Sequence, residues 1–249
     1  MAHRKMTAAV VSQEALAADI YSMWMEAEEI AKEAKPGQFI SVYSRDGARL
    51  LPRPISICEI DKENGRLRIV YRIAGAGTAE FSVYKAGDPV EIMGPLGNGF
   101  PLTGKKAFLI GGGIGIPPML ELGKQLDGEA QFVLGYRDGQ TFLKDEMEKY
   151  GAVYVATEDG SVGTKGNVLD AIRANGLAAD VIFACGPTPM LRAVKAYAAE
   201  NGITCYISLE ERMACGIGAC LVCVCQSQEV HEHSHVHNNR LCKHGPVLL

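Results

Sequence analysis

The pattern of apolar positions changes once along this chain. Up to about residue 104, short β-rich runs recur, such as Gln38-Phe39-Ile40-Ser41-Val42-Tyr43, Ile55-Ser56-Ile57-Cys58 and Leu67-Arg68-Ile69-Val70-Tyr71. Turn signals separate them at Pro36-Gly37, Asp46-Gly47, Asn64-Gly65 and Ala86-Gly87-Asp88. Many short strands at that spacing predict a small antiparallel β-barrel, with a helix around Thr78 to Tyr84 closing one end. From Lys105 the pattern differs. Apolar runs at Ala107–Ile110, Gln131–Leu134, Val153–Ala156 and Val181–Ala184 alternate with longer amphipathic stretches, which predicts βαβ units around a parallel sheet. Within this part, Thr188 to Asn201 reads as a helix. Met190, Leu191, Val194 and Ala198 share a face, and Gly202 stands where a C-terminal cap belongs. Pro117-Pro118 fits the first turn of another helix, where a missing N–H costs little.

Composition narrows the function classes. A net charge of −4 leaves no basic footprint, so nucleic acid is not an expected partner. No apolar run approaches the ~20 residues a membrane span needs, and no membrane association is expected. Met1 to Val10 carries basic residues but no following apolar region, so no secretory signal is visible. The eight cysteines therefore read as reduced thiols and metal ligands in a cytoplasm, not as disulfides.

Three of those cysteines crowd together as Cys215-x4-Cys220-x2-Cys223, and Cys242 follows after eighteen intervening residues. This is the spacing of a plant-type [2Fe–2S] site. Gly216, Ile217, Gly218 and Ala219 leave the loop little bulk, so it can curl with backbone N–H groups toward sulfur. A structural zinc site is the alternative, although its usual pattern is two short Cys-x2–4-Cys pairs. Cys225 is a fifth thiol, and the spacing makes it a neighbour of the ligands. His231-x-His233-x-His235-x-His237 is inserted before Cys242; it reads either as a metal-binding extended run or as a solvated loop tip.

Two turns have the chemistry of nucleotide binding. Gly111-Gly112-Gly113-Ile114-Gly115 follows a predicted strand and opens a predicted helix, where glycines let the backbone approach a pyrophosphate. Ile116 takes the last place of the G-x-G-x-x-G pattern, and an ordinary tight βα turn is the alternative. Cys185-Gly186-Pro187 follows the last predicted strand of that sheet, at the carboxyl edge where ligands bind; Cys185 stands either near a nicotinamide or simply buried in the turn. No acidic ribose reader ends the second strand. Arg137 stands there, so NAD and NADP both remain open.

In the barrel, Arg53-Pro54-Ile55-Ser56 offers a guanidinium fork and a hydroxyl for a flavin and its phosphates. Val70-Tyr71-Arg72 with Gly77-Thr78 is a second candidate grip, the latter pair at a helix start.

In this order the motifs resemble the ferredoxin-reductase-type flavoproteins: Arg-Pro-x-Ser, then Gly-Gly-Gly-x-Gly, then Cys-Gly-Pro. The run Ser208-Leu209-Glu210-Glu211-Arg212-Met213-Ala214-Cys215-Gly216-Ile217-Gly218-Ala219-Cys220, with Cys242-Lys243-His244-Gly245-Pro246-Val247, narrows the likeness. It resembles the electron-transfer subunits of class B, NAD-dependent dihydroorotate dehydrogenase over essentially the whole chain. The resemblance implies a multidomain β plus α/β architecture. Its parts are an antiparallel β-barrel FAD domain at 1–104, a parallel-sheet NAD-binding domain at 105–205 and a C-terminal [2Fe–2S] segment at 206–249. It implies FAD contacts at Arg53, Pro54, Ile55, Ser56, Val70, Tyr71, Arg72, Gly77 and Thr78. It also implies cluster ligands at Cys215, Cys220, Cys223 and Cys242. An aromatic residue often stands in the wider superfamily where this chain has Ile55. The implied partner is an FMN-containing catalytic subunit that oxidises dihydroorotate, in a heterotetramer of two of each, with NAD⁺ as diffusible acceptor. The implied role lies in pyrimidine biosynthesis, and no residue of this chain is assigned as a catalytic group. A flavin–iron–sulfur subunit of another NAD(P)H:ferredoxin-type complex is the second reading, and a zinc-stabilised nucleotide-binding regulator the third.

Overall fold

The computed structural model describes residues 4–226 and 238–249. The His231–His237 run lies outside the described residues. The first strands are β1 (Arg4–Ala17) and β2 (Ile20–Glu26), followed by the short helix α1 (Glu28–Glu33). Then come β3 (Phe39–Val42), β4 (Arg53–Asp61), β5 (Arg66–Arg72), helix α2 (Ala76–Phe81) and β6 (Pro89–Leu96). They close a barrel in the order β1-β2-β5-β4-β3-β6, in which β1 with β6, β2 with β5, β5 with β4, β4 with β3 and β3 with β6 pair antiparallel.

The period-two rule sorts each strand into an inner and an outer face. Ile40 and Val42 on β3, Ile55 and Ile57 on β4, Leu67, Ile69 and Tyr71 on β5, and Val90 and Ile92 on β6 all join one apolar core. Their neighbours Phe39, Ser41, Pro54, Ser56 and Met93 therefore face outward. The β4–β5 turn forms as its Asn-Gly pair predicts. Asp61 accepts from the Asn64 amide at 3.0 Å and from its side chain at 2.8 Å, and Gly65 takes φ +65°.

The second set of elements alternates strand and helix: β7 (Lys106–Gly112), α3 (Pro117–Gln125), β8 (Glu129–Tyr136), α4 (Lys144–Met147), β9 (Ala152–Thr157), β10 (Thr164–Lys165), α5 (Val168–Ala174), β11 (Val181–Cys185), α6 (Thr188–Glu200) and β12 (Thr204–Ser208). Its strands run parallel through β10-β9-β8-β7-β11-β12. Prolines occupy the first turns of α3 and α6, and Leu191, Val194 and Ala198 are the buried face of α6. Gly202, past the end of α6, adopts φ +65°.

The tail forms the hairpin β13 (Val224–Gln226) and β14 (Asn238–Arg240), helix α7 (Leu241–His244) and β15 (Val247–Leu248), which ends the sheet order after β12. Two compact units result. One comprises Met1–Ala15, Asp19–Gly99 and Leu209–Val247, so the cysteine segment belongs with the barrel; the other comprises Leu16–Ala18, Phe100–Ser208 and Leu248–Leu249. Among the described residues no helix is long and apolar enough to cross a membrane.

Ile69 is fully buried, between Met23 and Ile57 across the barrel wall. Ile69→Ala removes that packing, and urea unfolding should register a loss of about 2–5 kcal/mol. Val83→Ala, at a side chain 69% exposed, should stay within about 0.5 kcal/mol of the parent.

Candidate redox centre

The four cysteines selected by spacing come together as two pairs. Cys223 and Cys242 Sγ stand 3.2 Å apart, and Cys220 hydrogen-bonds to Cys215. The pairs lie close enough for a charge on Cys215 to act on Cys242. No three acidic, histidine or cysteine side chains among the described residues converge on one point. Two sulfurs for each of two irons is instead what a diiron core requires.

The loop between the ligands supplies donors. The Ala219 and Cys220 amides donate to Cys215 Sγ at 3.2 and 3.4 Å, the Gly218 amide to Cys242 Sγ at 3.1 Å, and the Cys242 amide to Cys223 Sγ at 3.4 Å. Such a curl needs left-handed backbone, and Gly216 (φ +70°) and Gly218 (φ +82°) provide it. Burial pushes the Cys215 thiol up, but the N–H groups of Ile217, Cys220 and Ala219, together with the Cys220 thiol, more than offset this and leave it at about 6. That favours thiolate, the form that binds metal. Burial, together with the hydrogen bond to Cys223, pushes Cys242 up to about 12. Iron entering here would have to displace that proton. This donor set fits a [2Fe–2S] cluster.

Cys225 sits on β13 opposite Asn239, half-buried, with its thiol pushed up by burial. A charge on Cys223 pushes it in the same direction. His244 stands two residues past Cys242, the Cys-x-His spacing of a Rieske centre, but no second such pair occurs in the sequence. Its Nδ1 accepts from the Arg240 amide at 3.4 Å.

The barrel fixes this loop in place. A Cβ on Gly216 would stand 3.1 Å from both Leu96 Cδ1 and Met93 Cε, and 3.3 Å from Ser41 Oγ. The cluster loop therefore lies directly on the outer face of β3 and β6. Asn98 clasps the end of the segment. Its side chain donates to the Val247 carbonyl (2.7 Å) and accepts from the Val247 amide (3.0 Å), while its own amide donates to Gly245 O (2.5 Å). Sequence reasoning missed Asn98, because an Asn beside glycines reads as an ordinary loop.

The flavin candidates share that outer face. In the barrel register Ser41 pairs with Pro54 and Phe39 with Ser56. Cross-strand neighbours stand about 4.5–5.5 Å apart, so Pro54 and Ser56 border the patch covered by the cluster loop. Arg53 lies over Gly77: a Cβ there would fall 2.4 Å from its Nε and 2.7 Å from its Cζ. The structure thus brings the first and second candidate grips together. A planar cation lies against bare backbone, a cradle suited to phosphate. Thr78 Oγ accepts from the Ala74 and Gly75 amides. Two side chains turn elsewhere. Ile55 packs in the barrel core, and the Tyr71 ring is buried, stacked on Tyr21 with its edge toward Phe81 and its hydroxyl on Gln13. Each can offer a flavin only its main chain. Val70 is buried and Arg72 exposed.

In the sheet, the two candidate nucleotide turns are neighbours. Gly111 on β7 is in register with Cys185 on β11. A Cβ on Gly115 would stand 2.3 Å from the Cys185 carbonyl oxygen, and one on Gly112 2.5 Å from Met190 Sδ. Gly113 takes φ +53°. Cys185 is 1% exposed and Arg137 is exposed. Gly186 and Pro187 close the turn against Gly112.

A barrel with a phosphate cradle, a parallel sheet with a glycine turn at its carboxyl edge, and a four-thiol loop define a ferredoxin-reductase-type flavoprotein equipped for one-electron transfer. A family model, the iron–sulfur cluster binding domain of dihydroorotate dehydrogenase B, matches residues 210–249. The electron transfer subunit of dihydroorotate dehydrogenase B (NAD(+)) from Bacillus caldolyticus is 42% identical over 96% of this chain and 94% of that protein. The same subunit from Bacillus cereus (strain B4264) is 41% identical over 98% and 96%. The chain belongs to this family of electron transfer subunits. Among solved structures, that of an NADH-dependent reduced ferredoxin–NADP oxidoreductase superposes with TM-score 0.86 at 28% identity, covering 97% of this chain and 87% of that one. A ferredoxin NADP⁺ reductase from Neisseria gonorrhoeae with bound FAD and NADP shares the fold, with TM-score 0.66 at 15% identity over 80% of this chain and 92% of that one.

Serine at Cys215, Cys220, Cys223 or Cys242 should each lower iron and acid-labile sulfide well below one cluster per chain, whereas Cys225→Ser should leave both at the parental level. Gly115→Ala drives a methyl into the Cys185 carbonyl. Titration should show at least tenfold weaker NADH binding, with the iron content unchanged.

Proposed function

We propose that this chain carries electrons from an FMN-containing catalytic subunit, which oxidises dihydroorotate to orotate, through a [2Fe–2S] cluster and FAD to NAD⁺. The reading places it in the cytoplasm, in de novo UMP synthesis, within a heterotetramer of two subunits of each kind. The observation that carries it is the shared barrel face: the loop of Cys215, Cys220 and Cys223 rests on Ser41, Met93 and Leu96, one strand from Pro54 and Ser56.

When bound, nicotinamide exchanges two electrons as hydride, the cluster one at a time, and FAD either way, which makes the flavin the converter between them. The chain's own residues position these groups. Cys215, Cys220, Cys223 and Cys242 hold the cluster, and the amides of Gly218, Ala219, Cys220 and Cys242 offset negative charge on sulfur. Arg53 balances pyrophosphate charge over Gly77, and Ser56 offers its hydroxyl to the flavin ring. Gly111, Gly112, Gly113 and Gly115, with Cys185, Gly186 and Pro187, form the nucleotide's bed. Around the exposed Cys220, Ile217, Leu221 and Val222 are 45%, 61% and 50% exposed. Apolar surface beside a one-electron carrier suits coverage by a partner subunit.

The likeness to an NADH-dependent ferredoxin–NADP oxidoreductase supports a second reading, a subunit that exchanges electrons with ferredoxin. Anaerobic copurification with the candidate FMN subunit separates the two. Dihydroorotate should bleach the visible flavin and cluster absorbance, and NAD⁺ should restore it. Bleaching by NADH but not by dihydroorotate would overturn the first reading and favour the second.

A further inference from the structure

Ser41 is fully buried, and its hydroxyl finds no hydrogen-bond partner among the described residues. It is one of few such groups; Arg66 Nε is another. Buried hydroxyls are rarely left unsatisfied, because losing water without a replacement bond is unfavourable. Ser41 faces outward from β3, and its Oγ stands 3.3 Å from where a Gly216 Cβ would lie. The other close neighbours of that point, Leu96 Cδ1 and Met93 Cε, are apolar. The amide of Ile217, next in the chain, donates to Cys215 Sγ. The hydroxyl is therefore packed, without a partner, against the residue that follows Cys215 in the loop whose amides turn to sulfur, in surroundings that strengthen any hydrogen bond made there.

We propose that the Ser41 hydroxyl donates a hydrogen bond to a sulfur of the cluster and so raises its reduction potential. The inference rests on the cluster seat proposed above. One-electron reduction adds negative charge to the iron–sulfur core, so a donor to sulfur stabilises the reduced form more than the oxidised one. On the protein side, the sulfurs receive amides from the loop and from α7; Ser41 adds a donor from the barrel wall, on the side of β4. Its place beside Pro54 means that the same residue borders the flavin grip, and serine there sets the driving force of the step between the two groups.

The test uses the anaerobically purified complex with its partner, titrated electrochemically while the reduced cluster is followed by electron paramagnetic resonance. Ser41→Ala should lower the equilibrium constant for cluster reduction about tenfold, equivalent to ~59 mV for one electron. Iron and sulfide content and the flavin potential should not change. Ser41→Thr, which keeps the hydroxyl, should titrate with the parent. Should Ser41→Ala lose its cluster, Ser41→Cys, a weaker donor, should give a smaller shift in the same direction. An unshifted cluster potential at full iron content overturns the proposal, as does a shift confined to the flavin. A parent complex without any iron–sulfur signal instead overturns the cluster seat itself, and this inference with it.

Discussion

The structure depends on how four cysteine sulfurs are seated in a partly desolvated loop. Thiolates and an iron–sulfur core are stable there only if donors replace lost water. Side chains supply few of them; the backbone supplies the rest. Amides of Gly218, Ala219, Cys220 and Cys242 all point at sulfur. That is possible because Gly216 and Gly218 take left-handed conformations closed to most residues. Arg240 adds a brace, its Nη1 donating to the Gly218 carbonyl at 2.7 Å.

A loop so dependent on backbone direction needs a rigid support. The barrel wall provides it, through an outer face that is apolar at Phe39, Met93 and Leu96. Asn98 secures the other end of the segment by bonding both main-chain groups of Val247. Because β3 lies between β6 and β4, the strand that the cysteine loop packs against borders the Arg53–Ser56 segment on its other side. The closeness of the cysteine loop to that segment thus follows from strand order.

The nucleotide turns rest on a different constraint, close approach of backbone to backbone. Parallel pairing of β7 with β11 sets Gly111 beside Cys185. The chains after them converge so tightly that Gly115 has a carbonyl where a side chain would be. The helices that follow begin with proline in the first turn, where the missing N–H costs little.

Much of this was legible in the sequence. The change of period near residue 105 marked barrel from sheet, because strands of a small barrel and βαβ units bury apolar residues at different spacings. The x4, x2 cysteine spacing picked out Cys215, Cys220, Cys223 and Cys242, which the fold brings together as two sulfur pairs, because a short loop of fixed covalent length holds its thiols near one another. Only the tertiary structure decided what non-local packing controls. It turned Ile55 and Tyr71 into the barrel, leaving only their main chain for a ligand, because the strand's inward parity at those positions overrides the residue's chemistry. It set Arg53 against Gly77, and it gave Asn98 its partners some 149 residues away. It placed the cysteine tail against β3 and β6, where a serine that reads as one polar residue in an apolar run becomes a buried hydroxyl packed against Gly216. Local pattern is written in neighbouring residues; which face covers which is set by burial across the whole chain.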